Sequence, residues 1–173
     1  NNANNRVITG DFTAGVLNGE SNLTFDGTNL LIGTGTTNAY LQYGLPTSNA
    51  VAHGEVIYAG TASGIIAFGE LVYLNTSTQW ALADADSSET IKLIGVALGS
   101  APATNGILLR GMIRSSAYSL FGIGQPLYVS LTAGDFVANL SGFTTGDFVR
   151  VVGYKVGTDT IFFNPDNTWV ELT

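Results

Sequence analysis

The feature that most constrains the fold is a stretch that the chain uses twice. Gly69-Glu70-Leu71-Val72-Tyr73-Leu74 is echoed by Gly124-Gln125-Pro126-Leu127-Tyr128-Val129. Trp80 follows the first copy much as Phe136 follows the second, and Ile91-Lys92-Leu93-Ile94-Gly95-Val96 is answered by Val149-Arg150-Val151-Val152-Gly153-Tyr154. Each copy closes on an apolar run, Ile107-Leu108-Leu109 in one and Ile161-Phe162-Phe163 in the other. The offset is 55 residues from Gly69 to Gly124 and 58 from Ile91 to Val149, as a short loop difference would give. Such self-similarity points to a duplicated β unit, with copies at about 69–113 and 124–164. Two copies are too few for a solenoid. They suit one β-sandwich or barrel with pseudo-twofold symmetry.

Composition agrees with strands. Of the 173 residues, 22 are Gly, while Lys and Glu are scarce, which argues against long helices. Thr, Val, Ile, Tyr and Phe are abundant and favour pleated structure. Apolar residues make up 45% and charged residues only 11%, so the chain can bury a core but has little charge to cover its surface. A domain of this kind often hides surface against further copies of itself. Net charge is −7, and the basic residues Arg6, Lys92, Arg110, Arg114, Arg150 and Lys155 are scattered. Phosphate recognition needs them clustered, so no nucleic-acid partner is expected. No apolar run approaches the ~20 residues of a membrane-spanning helix, and no membrane insertion is expected. The absence of Cys removes disulfides, thiolate metal sites and thiol nucleophiles together. The first residue is Asn rather than Met, which reads as a fragment or a processed product.

Residues 1–38 differ from the rest. Arg6-Val7-Ile8-Thr9 reads as a short strand, Asn18-Gly19 as a tight turn, Asn22–Phe25 as a strand, Asp26-Gly27 as a second turn and Asn29–Ile32 as a returning strand. Gly33–Thr37 reads as a loop. A module this small, without Cys or a metal motif, rarely folds alone. Its apolar positions Val7, Leu17, Leu23, Phe25, Leu30 and Ile32 need cover. Other copies of the chain are the simplest source, and its own C-terminal domain is the alternative. Residues 39–54 read as an irregular connector, and residues 55–173 as the β domain. The expected strands are 55–59, 63–68, 70–74, 79–83, 91–98, 106–114, 126–131, 135–139, 148–156 and 160–164, with a helical turn over 116–121 and a closing strand over 169–172. The fold class is all-β.

Catalytic chemistry is sparse. The one histidine, His53, lies in a linker-like stretch, and a surface or packing role suits it better than a triad. One His and no Cys make a transition-metal site improbable. Asp84-Ala85-Asp86-Ser87-Ser88-Glu89 resembles the start of a calcium loop but lacks its glycine and twelfth-position Glu, so it reads as a solvated loop. Most other acids, Asp135 and Asp147 among them, stand in turn contexts. Gly122-Ile123-Gly124 reads as a turn rather than a phosphate cradle. No catalytic residue, cofactor or metal is expected, and no enzymatic activity. Among the aromatics, Trp80 and Phe136 hold equivalent places and read as core. Tyr118 and Phe121 stand between the copies and are the candidates for contact with a ligand or a neighbouring chain.

The N-terminal residues carry a resemblance. Asn5-Arg6-Val7-Ile8-Thr9, Leu17-Asn18-Gly19-Glu20 and Leu23-Thr24-Phe25-Asp26-Gly27-Thr28-Asn29-Leu30 resemble a module of tailed-bacteriophage fibre and other virion appendage proteins. The C-terminal half, including Phe163-Asn164-Pro165, is similar in style to phage fibre or head-decoration β domains. The resemblance implies a homotrimeric structural virion protein, with residues 1–38 as a fibre-proximal trimerising segment and other virion proteins as partners. Three settings follow from it. The β domain is the distal part of a tail fibre that touches a host-surface receptor such as a glycan, or it projects from the capsid as a head fibre or decoration protein. The third is a non-catalytic fragment of a polysaccharide-degrading tailspike. On this reading Phe25→Asp disrupts assembly, because it puts charge on the face to be buried.

Overall fold

The computed structural model describes residues 44–173 in full and, as strand backbone alone, residues 6–10, 17–25 and 30–32. The chain divides into two compact units, Asn1–Gln42 and Tyr43–Thr173. The first contains β1 (Arg6–Gly10), β2 (Leu17–Phe25) and β3 (Leu30–Ile32), joined as an antiparallel three-stranded sheet in that order. The expected strands are there, but Asn18-Gly19 does not turn. It lies within β2, where Thr9 pairs with Asn18 and Ile8 with Gly19. Pairing with β1 supplies the backbone partners that a tight turn would otherwise provide. The Asp26-Gly27 turn and the Gly33–Thr37 loop lie outside the described residues.

The second unit holds β4 (Val51–Ile57), β5 (Thr61–Ala62), β6 (Leu71–Leu74), β7 (Gln79–Leu82), β8 (Ile94–Ala97), β9 (Ile107–Arg114), β10 (Pro126–Val129), β11 (Phe136–Val137), β12 (Phe148–Val149), β13 (Val151–Gly157), β14 (Thr160–Phe163) and β15 (Val170–Glu171). Among the described residues helix is confined to short turns at Ser88–Ile91, Pro102–Asn105 and Ser116–Leu120. The chain is all-β, as its composition requires. Ten strands form one sheet, in the order β11-β10-β13-β14-β9-β8-β6-β7-β5, with β4 on the other edge of β9. β12 and β15 make a separate pair. The sheet curls until its far parts are stitched by single backbone bonds: Leu71 N to Gly134 O (2.7 Å), Gly134 N to Ala83 O (2.8 Å) and Ala85 N to Ser130 O (2.9 Å).

Several expected boundaries move, each for a local reason. Val51–Gly54, expected in the connector, belong to β4, because that strand pairs along the whole of β9. Residues 63–68 are not a strand. Gly64 takes φ +98° and breaks the extended run, leaving Thr61–Ala62 to pair in parallel with β7. The strand expected from 91 starts at Ile94, since Ser87 caps a helical turn over Ser88–Ile91 by accepting from Glu89 N. The strand expected over 148–156 is interrupted at Arg150, whose guanidinium turns away to the carbonyls of Thr90 (2.7 Å), Lys92 (2.9 Å) and Asp166 (2.8 Å).

Two apolar cores lie on opposite faces of the sheet. Leu71, Ile94, Val96, Leu108, Ile113, Leu127, Val129, Val152, Ile161 and Phe163 fill the inner one. Ile66, Val72, Trp80, Ala97 and Ile107 make a smaller second core, and the Trp80 indole donates to Ala59 O at 2.8 Å. Strand alternation sends Leu71 and Val72 to different cores. On β9 that alternation is reset. Glu55 pairs with Arg110 but Val56 with Leu108, so Leu109 is an extra residue, a β-bulge. Leu108 and Ile113, an odd number of residues apart, can therefore both face the inner core. Beside the bulge, Gly54 and Gly111 pair so closely that a Cβ on Gly54 would lie 2.1 Å from Arg110 O.

Most pairs of the matched segments correspond, the exception being Tyr73, which pairs with Ile94, where Tyr128 meets Val151 across a bulge and not Val152. Tyr73 and Leu74 face Ala81 and Trp80, as Tyr128 and Val129 face Val137 and Phe136. Val72 pairs with Gly95 as Leu127 pairs with Gly153, and Val96 with Leu108 as Tyr154 with Phe162. Their last strands, β9 and β14, then pair antiparallel with each other.

Candidate functional site

A groove of about 530 Å³ opens where three turns converge: Ala67–Glu70 before β6, Ser115–Phe121 after β9, and Gly134–Phe136 entering β11. Gly69 adopts φ +90°, which a side chain would strain, and a Cβ there would lie 3.0 Å from the Tyr118 hydroxyl. Gly134, at φ +87°, is fixed by the backbone bonds that stitch the sheet. Ser115 caps the turn that follows it, its Oγ accepting from Ala117 N, and Ser116 N donates to Asn49 Oδ1 at 2.8 Å. The groove is therefore framed by backbone geometry.

Tyr118 and Phe121, the two expected contact residues, both reach this groove, but they stand differently in it. Tyr118 is 3% exposed and does not present its ring to a neighbour. Its hydroxyl donates to Gly69 O at 2.8 Å, and its ring meets Phe136 edge-on at 5.4 Å and 79°. Burial pushes the Tyr118 hydroxyl well above the usual tyrosine range, so it stays a neutral donor. Tyr118 is floor rather than lip. The difference comes from the hydroxyl, which finds a buried acceptor and carries the ring inward. Phe121 is half-buried, and Leu120 beside it is 90% exposed. The core assignment of Trp80 and Phe136 agrees with the structure, at 1% and 8% exposure.

Behind the floor sits Lys155, 1% exposed, whose ammonium donates to the carbonyls of Tyr118 and Thr158. Desolvation holds its pKa below the ordinary lysine value, with Asp159 acting in the opposite sense. It ties the Tyr118 turn to β13.

Sequence reasoning missed Phe68, Glu70 and Asp135, which complete the lining. Glu70 is half-buried and its Oε2 accepts from Ala67 N at 2.7 Å, while Asp135 is exposed. A signal was available: each acid follows a glycine of positive φ, Gly69 and Gly134, at the entry to a strand. Neither belongs to the two ion pairs found among the described residues, Lys92–Glu89 and Arg114–Asp159. Aromatic side chains and acceptor oxygens thus dominate the groove, an arrangement that stacks and accepts hydrogen bonds.

Other expected positions are placed elsewhere. His53 lies on β4 and its Nδ1 donates to Gly44 O at 2.8 Å. The Asp84–Glu89 loop is built from local turns, and among the described residues no cluster of three His, Asp or Glu could hold a metal ion. Gly122–Gln125 forms a turn closed by Gln125 N to Gly122 O at 3.1 Å. The trimer-contact candidates lie in strand backbone, Val7 in β1, Leu17, Leu23 and Phe25 in β2, and Leu30 and Ile32 in β3, with their side chains outside the described residues. Register sets Leu23 opposite Ile32 and Phe25 opposite Leu30. No protein-family model matches the chain, and no curated protein matches it.

Proposed function

We propose that this chain is a structural virion protein of a tailed bacteriophage, the distal part of a homotrimeric fibre whose β domain contacts a host-surface glycan. The observation that carries the reading is the N-terminal string Asn5–Thr9, Leu17–Glu20 and Leu23–Leu30, with its likeness to virion appendage modules. A physical argument supports it. The strands β1–β3 belong to a unit of 42 residues, too small to stabilise itself by burial alone, and their register brings four apolar positions opposite one another. Packing around a threefold axis supplies the missing cover. The pairing register that residues 71–108 and 126–162 share, apart from one bulge at Tyr128, supports a duplication as the origin of the β domain. The groove between Glu70, Phe121 and Asp135 is the surface we assign to the receptor.

Light scattering at two protein concentrations tests the assembly. A trimer mass at both supports the fibre reading, and its loss in Phe25→Asp locates the contact in the N-terminal unit. A stable monomer overturns the trimer. Adsorption of the labelled chain to host cells, with and without enzymatic removal of surface polysaccharide, tests the receptor class.

A further inference from the structure

Most hydrogen-bond donors of the groove are spent within the chain. The amides of Ala67, Ala117, Tyr118, Phe121, Gly134 and Asp135 all donate within the chain, and so does the Tyr118 hydroxyl. These backbone donors are already committed when a ligand arrives. Glu70 accepts from Ala67 N on Oε2, its other carboxylate oxygen and the Asp135 carboxylate remain as acceptors, and no cation among the described residues lines the groove. The nearest buried cation, Lys155, spends its ammonium on carbonyls behind Tyr118. With a net charge of −7 on the chain, an acidic polymer is repelled.

A ligand for such a groove must bring the donors and the positive charge itself, together with flat apolar faces for Phe68 and Phe121. We infer that the groove selects a polysaccharide bearing free amines, with Glu70 and Asp135 holding ammonium groups and the phenylalanines stacking on the sugar rings. This rests on the reading of the groove as a glycan site. A cationic peptide would supply charge, but it binds best along an open strand edge, and the three walls here are turns.

Calorimetry of the whole chain with glucosamine oligomers, N-acetylglucosamine oligomers and galacturonic acid oligomers of equal length tests it. The amine form should bind about five- to tenfold tighter than the acetylated form at low salt, as expected for two partly exposed charge pairs. Galacturonate should not bind. Glu70→Gln with Asp135→Asn should erase the preference without lowering the melting temperature, since Gln at 70 can still accept from Ala67 N. Phe121→Ala should weaken both glucosamine forms. Equal binding of amine and acetylated forms, or a preference that survives the double variant, overturns the amine inference and leaves the glycan site standing. Equal or tighter binding of oligolysine overturns it in favour of a peptide. If none of the three glycans binds, the glycan reading of the groove falls as well.

Discussion

The two halves of the β domain share a pairing scheme and differ in what covers them. In the half from Leu71 to Leu109, side chains of both parities are buried: Leu71, Ile94 and Val96 inward, Val72, Trp80 and Ile107 into the second core. In the half from Pro126 to Phe163 the buried apolar strand residues of the ten-stranded sheet are the inner set, among them Leu127, Val129, Ile161 and Phe163. Its outer face carries Tyr154, 44% exposed, and Phe162, which has Arg110 at 6.0 Å above its ring. The bulge at Leu109 makes the difference workable, because it lets one strand serve a two-faced half at one end and a one-faced half at the other. A common pairing scheme does not entail equal burial. What a strand position buries is decided by what is laid over it, here the segment from Ile57 to Ile66.

That comparison can be broken by substitution. The largest effect is expected from Trp80→Ala, about 4–5 kcal/mol by chemical denaturation, because it empties the centre of the second core and strands Ala59 O. Its counterpart Phe136→Ala should cost about 3 kcal/mol, since the ring is 8% exposed and has no polar partner to lose. Reversal of that order would mean that the second core is the weaker of the two.

The paired glycines sharpen the same contrast. A Cβ at Gly153 would lie 2.3 Å from the backbone oxygen of Phe162, and one at Gly95 would lie 2.3 Å from Cγ2 of the buried, β-branched Ile107 and 3.0 Å from the backbone oxygen of Leu108. Gly153→Ala and Gly95→Ala should therefore each cost about 3 kcal/mol, and a marked difference between them would show that one half yields more readily than the other. Tyr118→Phe, at the junction of the halves, should cost about 1 kcal/mol through loss of the bond to Gly69 O, read as a shift in denaturation midpoint with unchanged slope.

The smallest effect is electrostatic and spans the halves. Burial, then the neighbouring Asp86 and Asp147 carboxylates, raises the Asp84 pKa above the ordinary value, against a backbone hydrogen bond from Asp86 that lowers it. A folded-state pKa above the unfolded one means that the contribution is fully present below the unfolded value and lost as pH rises through the folded one. Asp84→Asn should thus melt slightly higher than the parent at pH 7, with the gap closing as pH falls through the raised folded value and gone below the ordinary value of about 4. A gap that widens on acidification would reverse the assigned direction.

Much of the sheet was legible from the sequence, and the reasons are local. Leu71–Leu74, Ile107–Arg114 and Thr160–Phe163 are short apolar or alternating runs between turn residues, and such runs need little context to become strands. Val51–Gly54 escaped notice because small and polar residues there gain strand pairing only from a distant partner, β9. The site was half legible. Phe121 and Tyr118 stood out as aromatics between copies, but the acceptor that turns Tyr118 inward is a carbonyl 49 residues away. Glu70 and Asp135 looked like ordinary turn acids, because only the curl of the sheet brings them to one groove.

The shared strand β9 has a consequence for how the domain comes apart. Its first residues bond β8, its last bond β14, and its other edge bonds β4 throughout. Neither half can open without exposing the edge on which the other closes. Amide protons on β9 should then exchange only when the whole domain unfolds, and the two halves should melt as a single cooperative unit.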